Sequence, residues 1–392
     1  MPFYHYLIIG GGMSADAAAR GIRKIDAQGS IGLIGAEPDP PYNRPPLSKG
    51  LWKGRPLERI WRRTEALGVT LHLARSARDL DPARKRILDD QGTEYHYDKL
   101  LLASGGRPRR LPFGGDEVVY FRDLNDYRRL RELAESRRRF AVIGGGFIGS
   151  EIAAALAMNG KQVTLLFPES GLGARVFPED LSRFLNDYYR AQGVEVRPDT
   201  RVTGLERRGE AVTLHTHDGG TLEADGVVAG IGIAPNVELA QAAGLAVDNG
   251  IVVDGALRTS QPDIYAAGDV AAFHNPALDK RLRVEHEDNA NQMGELAGRS
   301  MAGESVRYDH LPYFYSDLFD LGYEAVGELD PALETVADWR EPYRSGVIYY
   351  LREGRVRGVL LWNVWKQTDA ARALITRPGP YTAGDLIGRI MG

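Results

Sequence analysis

A chain of 392 residues, 43% hydrophobic and 26% charged, has the composition of a globular protein with room for two or three domains. A formal net charge of −4 gives no general reason to bind nucleic acid or anionic membrane, and short basic runs such as Arg107–Arg110 read as solvated faces. The absence of cysteine excludes a dithiol centre, a cysteine peroxidase, a thiolate-held cluster and structural disulfides.

No apolar run reaches the roughly 18 residues of a membrane-spanning helix. Met1–Tyr6 lacks the basic start and apolar core of a signal peptide, so a cytoplasmic location is expected. His5–Gly10 (HYLIIG) is a short apolar strand, and Gly10, Gly12 and Ala15 follow it as G-x-G-x-x-A. Ser14–Ile25 is helical, Ile31–Ile34 begins a second strand, and Glu37 stands where an acidic residue binds a ribose. Pro40–Lys49 is a stiff loop, because its prolines exclude regular structure; it carries Arg44, Ser48 and Lys49 across the expected cofactor position. Short strands are expected at Val69–Leu73, Lys85–Leu88 and Lys99–Ala103. The last runs into Ser104-Gly105-Gly106, a turn that lets the chain cross beside a ligand.

Tyr127–Glu135 is a helix. It leads into Arg139–Glu151 (RFAVIGGGFIGSE), where a buried strand, Phe140–Ile143, is followed by Gly144, Gly146 and Gly149 as G-x-G-x-x-G. The glycines allow a tight turn, close approach to a diphosphate and close helix–strand packing, and the helix beyond presents its positive end to the ligand. Ile148, Ile152 and Leu156 mark that helix's apolar face. Gln162–Phe167 is the next strand, and Glu169 takes the place that Glu37 holds in the first copy. The repetition of strand, glycine turn, helix, strand and acid predicts two dinucleotides in two similar domains. Leu181–Arg190 is an amphipathic helix, Val194–Glu223 a run of short strands, and Gly226–Gly232 returns to the sheet core. His215 and His217 read as a polar strand face rather than a metal site, since no third ligand lies nearby.

Ile264–Ala267 is a strand, and Asp269 follows a glycine at its end, placed for a hydroxyl of a flavin chain. Arg283–Met301 enters a long helix near Asp288. From Tyr323 the pattern changes to antiparallel strands, Glu324–Gly327, Gly346–Arg352 and Val356–Trp362, with a helix near Asp369–Ile375. The fold class is therefore α/β: two Rossmann-like dinucleotide-binding domains and a small α+β C-terminal domain. The expected division is 1–113 with 241–314, 114–240, and 315–392.

GGGMSA, PPYNRPPLSKGLW, GGGFIGSE, LFPE, YAAGD, RVEHEDNA and GYEAVG together resemble apoptosis-inducing factor and its prokaryotic relatives, as does the C-terminal SGVIYYLREGRVRGVLLWNVW. These proteins are pyridine nucleotide-disulfide oxidoreductases that bind FAD and NADH and include ferredoxin reductases and monodehydroascorbate reductase. The resemblance implies the glutathione reductase-like architecture without redox cysteines. It assigns FAD to 1–113 with 241–314 and NADH to 114–240. It also implies hydride transfer from NADH to flavin N5.

On that basis Gly10, Gly12, Ala15, Glu37, Arg44, Ser104, Gly105, Asp269, Glu285 and His286 hold FAD. Gly144, Gly146, Ile148, Gly149, Glu169, Arg175 and Gly232 hold NADH. The resemblance makes Lys49 and Glu151 an ion pair beside flavin N5, with Phe147 at the nicotinamide and His286 at the flavin pyrimidine. Arg175 is the counterweight to Glu169, since it could pair with the 2′-phosphate of NADPH. The electron acceptor is a small redox protein such as a ferredoxin or rubredoxin, a quinone or oxygen, and a homodimer is left open. Two alternatives stand beside this reading: a redox-sensing protein of slow turnover whose NADH-bound state controls partner binding, and a radical reductase like monodehydroascorbate reductase.

The family's vertebrate members carry a targeting segment before the first strand and a long insertion where Pro331–Ser345 is short. Membrane anchoring, redox-triggered dimerisation and cell-death roles are therefore not carried over. Glu287 and Tyr315, the latter standing where tryptophan is expected, predict a different nicotinamide and acceptor side of the pocket.

Overall fold

Phe3–Ile9, FYHYLII, becomes a central parallel strand because its residues from Tyr6 to Ile9 are all buried, as a strand covered on both faces requires. It pairs in parallel with Ile31–Ile34 on one side and Glu94–Leu102 on the other. The sheet runs Val69–His72, Ile31–Ile34, Phe3–Ile9, Glu94–Leu102, Arg86–Asp89, Ala77–Asp81, with Ile264–Ala266 also pairing with Glu94–Leu102. This computed structural model describes residues 1–391, and the sheet belongs to the first of two units, made of Met1–Arg44, Leu57–Arg107 and Ala234–Pro312.

Glycines set how the helices of this unit lie. A Cβ at Gly21 would fall 2.0 Å from the Glu295 carbonyl oxygen, one at Gly298 would fall 2.0 Å from that of Ala18, and one at Gly294 would fall 2.5 Å from that of Ser14. The helices Met13–Ile25 and Glu287–Met301 thus touch backbone to backbone. Beneath them the fully buried Asp16 carboxylate takes Arg62 Nε at 2.6 Å, Arg20 Nε at 2.8 Å and the Thr64 hydroxyl at 2.6 Å. Arg62 also reaches Asn43 at 2.8 Å and Asn291 at 2.9 Å, which fastens the proline-rich loop to both helices. A buried carboxylate persists only when its charge is met in this way.

The second unit comprises Pro45–Pro56, Pro108–Ile233 and the chain from Tyr313 on. Its parallel sheet runs Val194–Arg197, Gln162–Leu166, Arg139–Ile143, Gly226–Ala229, Val118–Tyr120. The C-terminal part is an antiparallel sheet ordered Tyr313–Leu318, Leu321–Gly327, Arg355–Trp362, Ser345–Arg352, Glu334–Glu341, backed by the helix Thr368–Thr376.

Several strands escape the sequence reading, Val118–Tyr120 and Ala271–Asn275 among them. Glu334–Glu341 and Ala77–Asp81 are polar edge strands in which few residues are buried, so no apolar alternation marks them. Tyr313–Leu318 overlaps the aromatic-rich run YDHLPYFYS at 308–316 and buries Ser316 and Leu318 rather than its rings.

Candidate active site

The two glycine turns have the same construction. Gly10 (φ +128°) and Gly144 (φ +114°) adopt backbone that favours glycine, and a Cβ on them would lie 2.1 Å from Ala103 O and 2.4 Å from Gly230 O. Gly12 and Gly146 are the N-caps of the helices Met13–Ile25 and Phe147–Met158, without a side-chain cap. A Cβ on either would meet no protein atom within 4 Å. Each helix therefore opens onto unfilled space, toward which its positive end and first-turn N–H groups favour a diphosphate. The third positions differ. Ala15 is buried and accommodated, whereas a Cβ at Gly149 would stand 1.8 Å from Gly144 O. The residues present fit two dinucleotides.

In the first unit the Glu37 carboxylate accepts the Tyr42 hydroxyl at 2.5 Å and pairs with the Arg44 guanidinium, which also reaches Tyr42 Oη at 3.2 Å. Gly268 (φ +78°) approaches Ser14 so closely that a Cβ would lie 2.2 Å from its hydroxyl, which sets Asp269 beside the start of the first helix. His286 stands at the N-cap position of the helix Glu287–Met301 without a side-chain cap bond; burial lowers its pKa to about 4, against the opposing pull of Asp269 and Asp288. It is a neutral imidazole at pH 7. Ser104 donates to Asn236 O at 2.9 Å, and Glu285 pairs with Arg283 at 2.7 Å, so both polar groups engage the protein itself. Gly105 (φ +62°) accepts the Asn236 N–H at 3.0 Å.

The second unit brings Lys49 and Glu151 together. Lys49 Nζ lies 2.7 Å from Glu151 Oε1, with side chains 12% and 3% exposed. Two hydroxyls complete the carboxylate's partners: Ser48 donates to Oε2 at 2.5 Å and Ser316 to Oε1 at 2.6 Å. These groups come from the proline loop, the glycine-turn helix and the C-terminal sheet. Lys49 Nζ also sits 5.3 Å from the centre of the Tyr315 ring, within reach of a cation–π contact. Tyr189 and Tyr323 stay protonated around the pair, because burial and then the Glu151 charge raise both phenols well above their usual range. Charge is thereby held in a place largely closed to water.

Phe147 is 37% exposed and meets Phe314 at a ring-centre distance of 5.1 Å. Ile148 is equally exposed, not part of the helix's buried face, which begins at Gly149 and includes Ile152 and Leu156. Glu169 follows the strand Gln162–Leu166, and Arg175 clasps its carboxylate through Nε at 2.9 Å and a terminal nitrogen at 2.7 Å. Gly232 (φ +91°) accepts the Arg109 N–H at 2.9 Å.

Sequence reasoning assigned no role to Ser48, Ser316 or Tyr42. Ser48 and Ser316 stand 103 and 165 positions from Glu151, so no local spacing announces them. Tyr42, five residues from Glu37 in the same loop, was within reach of such reasoning.

Residues 4–294 match the model of the pyridine nucleotide-disulphide oxidoreductases, and residues 297–342 and 337–377 match that of the C-terminal domain of mitochondrion-associated apoptosis-inducing factor. A ferredoxin reductase subunit of a 5,5'-dehydrodivanillate O-demethylase, from a Sphingobium species, is 37% identical over 96% of this chain and 94% of its own. Apoptosis-inducing factor 1 of Dictyostelium discoideum is 34% identical over 95% of this chain and 78% of its own. Among solved structures, putidaredoxin reductase in covalent complex with putidaredoxin superposes with a TM-score of 0.89, at 33% identity over 95% of this chain and 92% of that one. Among the described residues no helix is long and apolar enough to cross a membrane.

Proposed function

The chain belongs to the pyridine nucleotide-disulphide oxidoreductase family and is an FAD-dependent NAD(P)H oxidoreductase; we propose that it prefers NADH and passes the electrons to a small ferredoxin-type protein in the cytoplasm. The observation that carries this reading is the pair of open glycine turns at Gly12 and Gly146, one dinucleotide to each. In this reading 1–113 with 241–314 bind FAD, 114–240 bind NADH, and 315–392 form an α+β interface domain.

NADH supplies a hydride and FAD accepts it; the protein supplies position and charge. Gly10, Gly12 and the helix Met13–Ile25 would seat the FAD diphosphate, and Glu37, kept in place by Tyr42 and Arg44, would take its ribose. Asp269 would take the flavin chain, with His286 beside the flavin. Gly144, Gly146 and the helix Phe147–Met158 would seat the NADH diphosphate, with Glu169 for the ribose hydroxyls and Phe147 for the nicotinamide. Lys49 would supply positive charge to the flavin. Glu151, held by Ser48, Lys49 and Ser316, would orient the nicotinamide amide. The ferredoxin-type acceptor is supported by the relatives that are themselves ferredoxin reductases.

The test is anaerobic reduction of a ferredoxin by the purified protein with NADH or NADPH. We expect kcat/KM for NADH to exceed that for NADPH by roughly tenfold, the equivalent of ~1.4 kcal/mol of repulsion between Glu169 and a 2′-phosphate. Glu169→Ala should narrow the gap by removing the repulsion and freeing Arg175. Equal or better use of NADPH by the native protein contradicts the NADH preference, and NADH oxidation without ferredoxin reduction contradicts the acceptor.

A further inference from the structure

Between the strand Gln162–Leu166 and the helix Glu179–Ala191 runs the loop that carries both Glu169 and Arg175. Its sequence, PESGLGARVFP, has no regular structure of its own, so its shape must come from what it is tied to. Near its start the Asp199 N–H donates to Glu169 O at 3.0 Å, and Asn186 Nδ2 donates to Ser170 O at 3.0 Å. In the middle, Leu172 N–H donates to Asn186 Oδ1 at 3.1 Å and the Ser182 hydroxyl donates to Leu172 O at 2.6 Å. Gly173 (φ +67°) donates to Gly145 O at 2.9 Å, which couples the loop to the glycine turn itself.

The end of the loop is fastened by the C-terminal sheet. The Tyr350 hydroxyl, from the strand Ser345–Arg352, donates to Val176 O at 2.7 Å. Phe177 is buried with its ring edge-on to Tyr323 at 5.2 Å and to Trp362 at 5.7 Å. Tyr323 and Trp362 stack on each other at 5.7 Å, so Phe177 is fitted against a rigid aromatic pair. Arg175, one residue before Val176, is 83% exposed, and the direction of its guanidinium onto Glu169 follows the backbone that Tyr350 anchors.

We propose that the C-terminal sheet sets nucleotide affinity and NADH selectivity from outside the nucleotide fold, with Tyr350 and Phe177 as positioning residues for the loop bearing Glu169 and Arg175. The inference rests on the reading of this loop as the ribose-binding loop of NADH. Freezing a loop of this kind when ligand binds costs conformational entropy for every residue ordered, and a loop already fastened avoids that cost. Releasing its end returns the cost to binding and lets Arg175 leave Glu169 for a 2′-phosphate.

Tyr350→Phe removes one oxygen without opening a cavity. We expect KM for NADH to rise roughly three- to tenfold, the worth of one hydrogen bond. Inhibition by AMP should weaken by a similar factor, the NADH-to-NADPH ratio should narrow, and the effect should fall on KM rather than kcat. Phe177→Leu, which keeps an apolar filling but loses the ring contacts, should shift the same quantities in the same direction. A purely structural role would lower the melting temperature and leave KM, AMP inhibition and nucleotide ratio in place. Constants within twofold of native for both variants overturn the proposal. Native protein that fails to bind NADH at all contradicts the oxidoreductase reading instead, so the two failures are distinguishable.

Discussion

Gly12→Asp protein is expected to fold and purify without FAD, whereas Gly146→Asp protein should keep its FAD and lose NADH binding by more than about a hundredfold. The estimate corresponds to a few kcal/mol of repulsion and exclusion between a carboxylate and a diphosphate in a half-enclosed site. Both glycines have ordinary extended backbone, with φ −95° and −85°, and space for a side chain. Aspartate is also a favoured N-cap residue, so each substitution should support the helix that it begins. The block therefore falls on the ligand rather than on the fold. Alanine at Gly10 or Gly149 would be a poor substitute, since its Cβ would collide with backbone at 2.1 Å or 1.8 Å and disturb the chain itself. Bound flavin read from the visible spectrum and NADH affinity read by titration check the pair. A yellow Gly12→Asp protein, or a colourless Gly146→Asp protein, contradicts the assignment of one dinucleotide to each turn.

Lys49→Ala should leave FAD bound and lower the flavin's reduction potential by roughly 20–40 mV. Reduction places negative charge on the flavin, and in the proposed site the Lys49 ammonium favours it; removing that ammonium disfavours the reduced form, so the potential falls. A partly buried charge contact of about 1–2 kcal/mol converts to that range for a two-electron couple. Glu151 would keep the Ser48 and Ser316 hydroxyls and lose its counter-charge. The rate of flavin reduction by NADH should fall. The potential, the flavin spectrum and the reduction rate check this expectation. Native values for all three would make Lys49 a structural residue of the loop.

The parts of the fold that repeat a local pattern were legible from the sequence. Gly10-x-Gly12 and Gly144-x-Gly146 combine strand, turn and helix within about fifteen residues, and the steric demand on each glycine is met by its immediate surroundings. The pairing of Lys49 with Glu151 was legible only through family resemblance, because the residues are far apart in the chain. What closes around them was not legible at all. Ser316 reaches Glu151 from a strand that buries its hydroxyl residue and leaves Phe314 and Tyr315 only partly covered, the reverse of the apolar-in alternation that identifies strands. Ile148 misled for a related reason: in the helix Phe147–Met158 nearly every position is apolar, so periodicity cannot say which face is covered. Arg62 and Asp16 form the buried network of the first unit, yet their spacing of 46 residues carries no signal, and Arg62 looks like one more loop arginine.

Anaerobic titration of the native protein with NADH decides whether one chain holds FAD and has it reduced by NADH. The expected result is about one FAD per chain and bleaching of its visible absorption by about one equivalent of NADH. Protein that binds no FAD after reconstitution, or whose flavin absorption is unchanged by excess NADH, would contradict it.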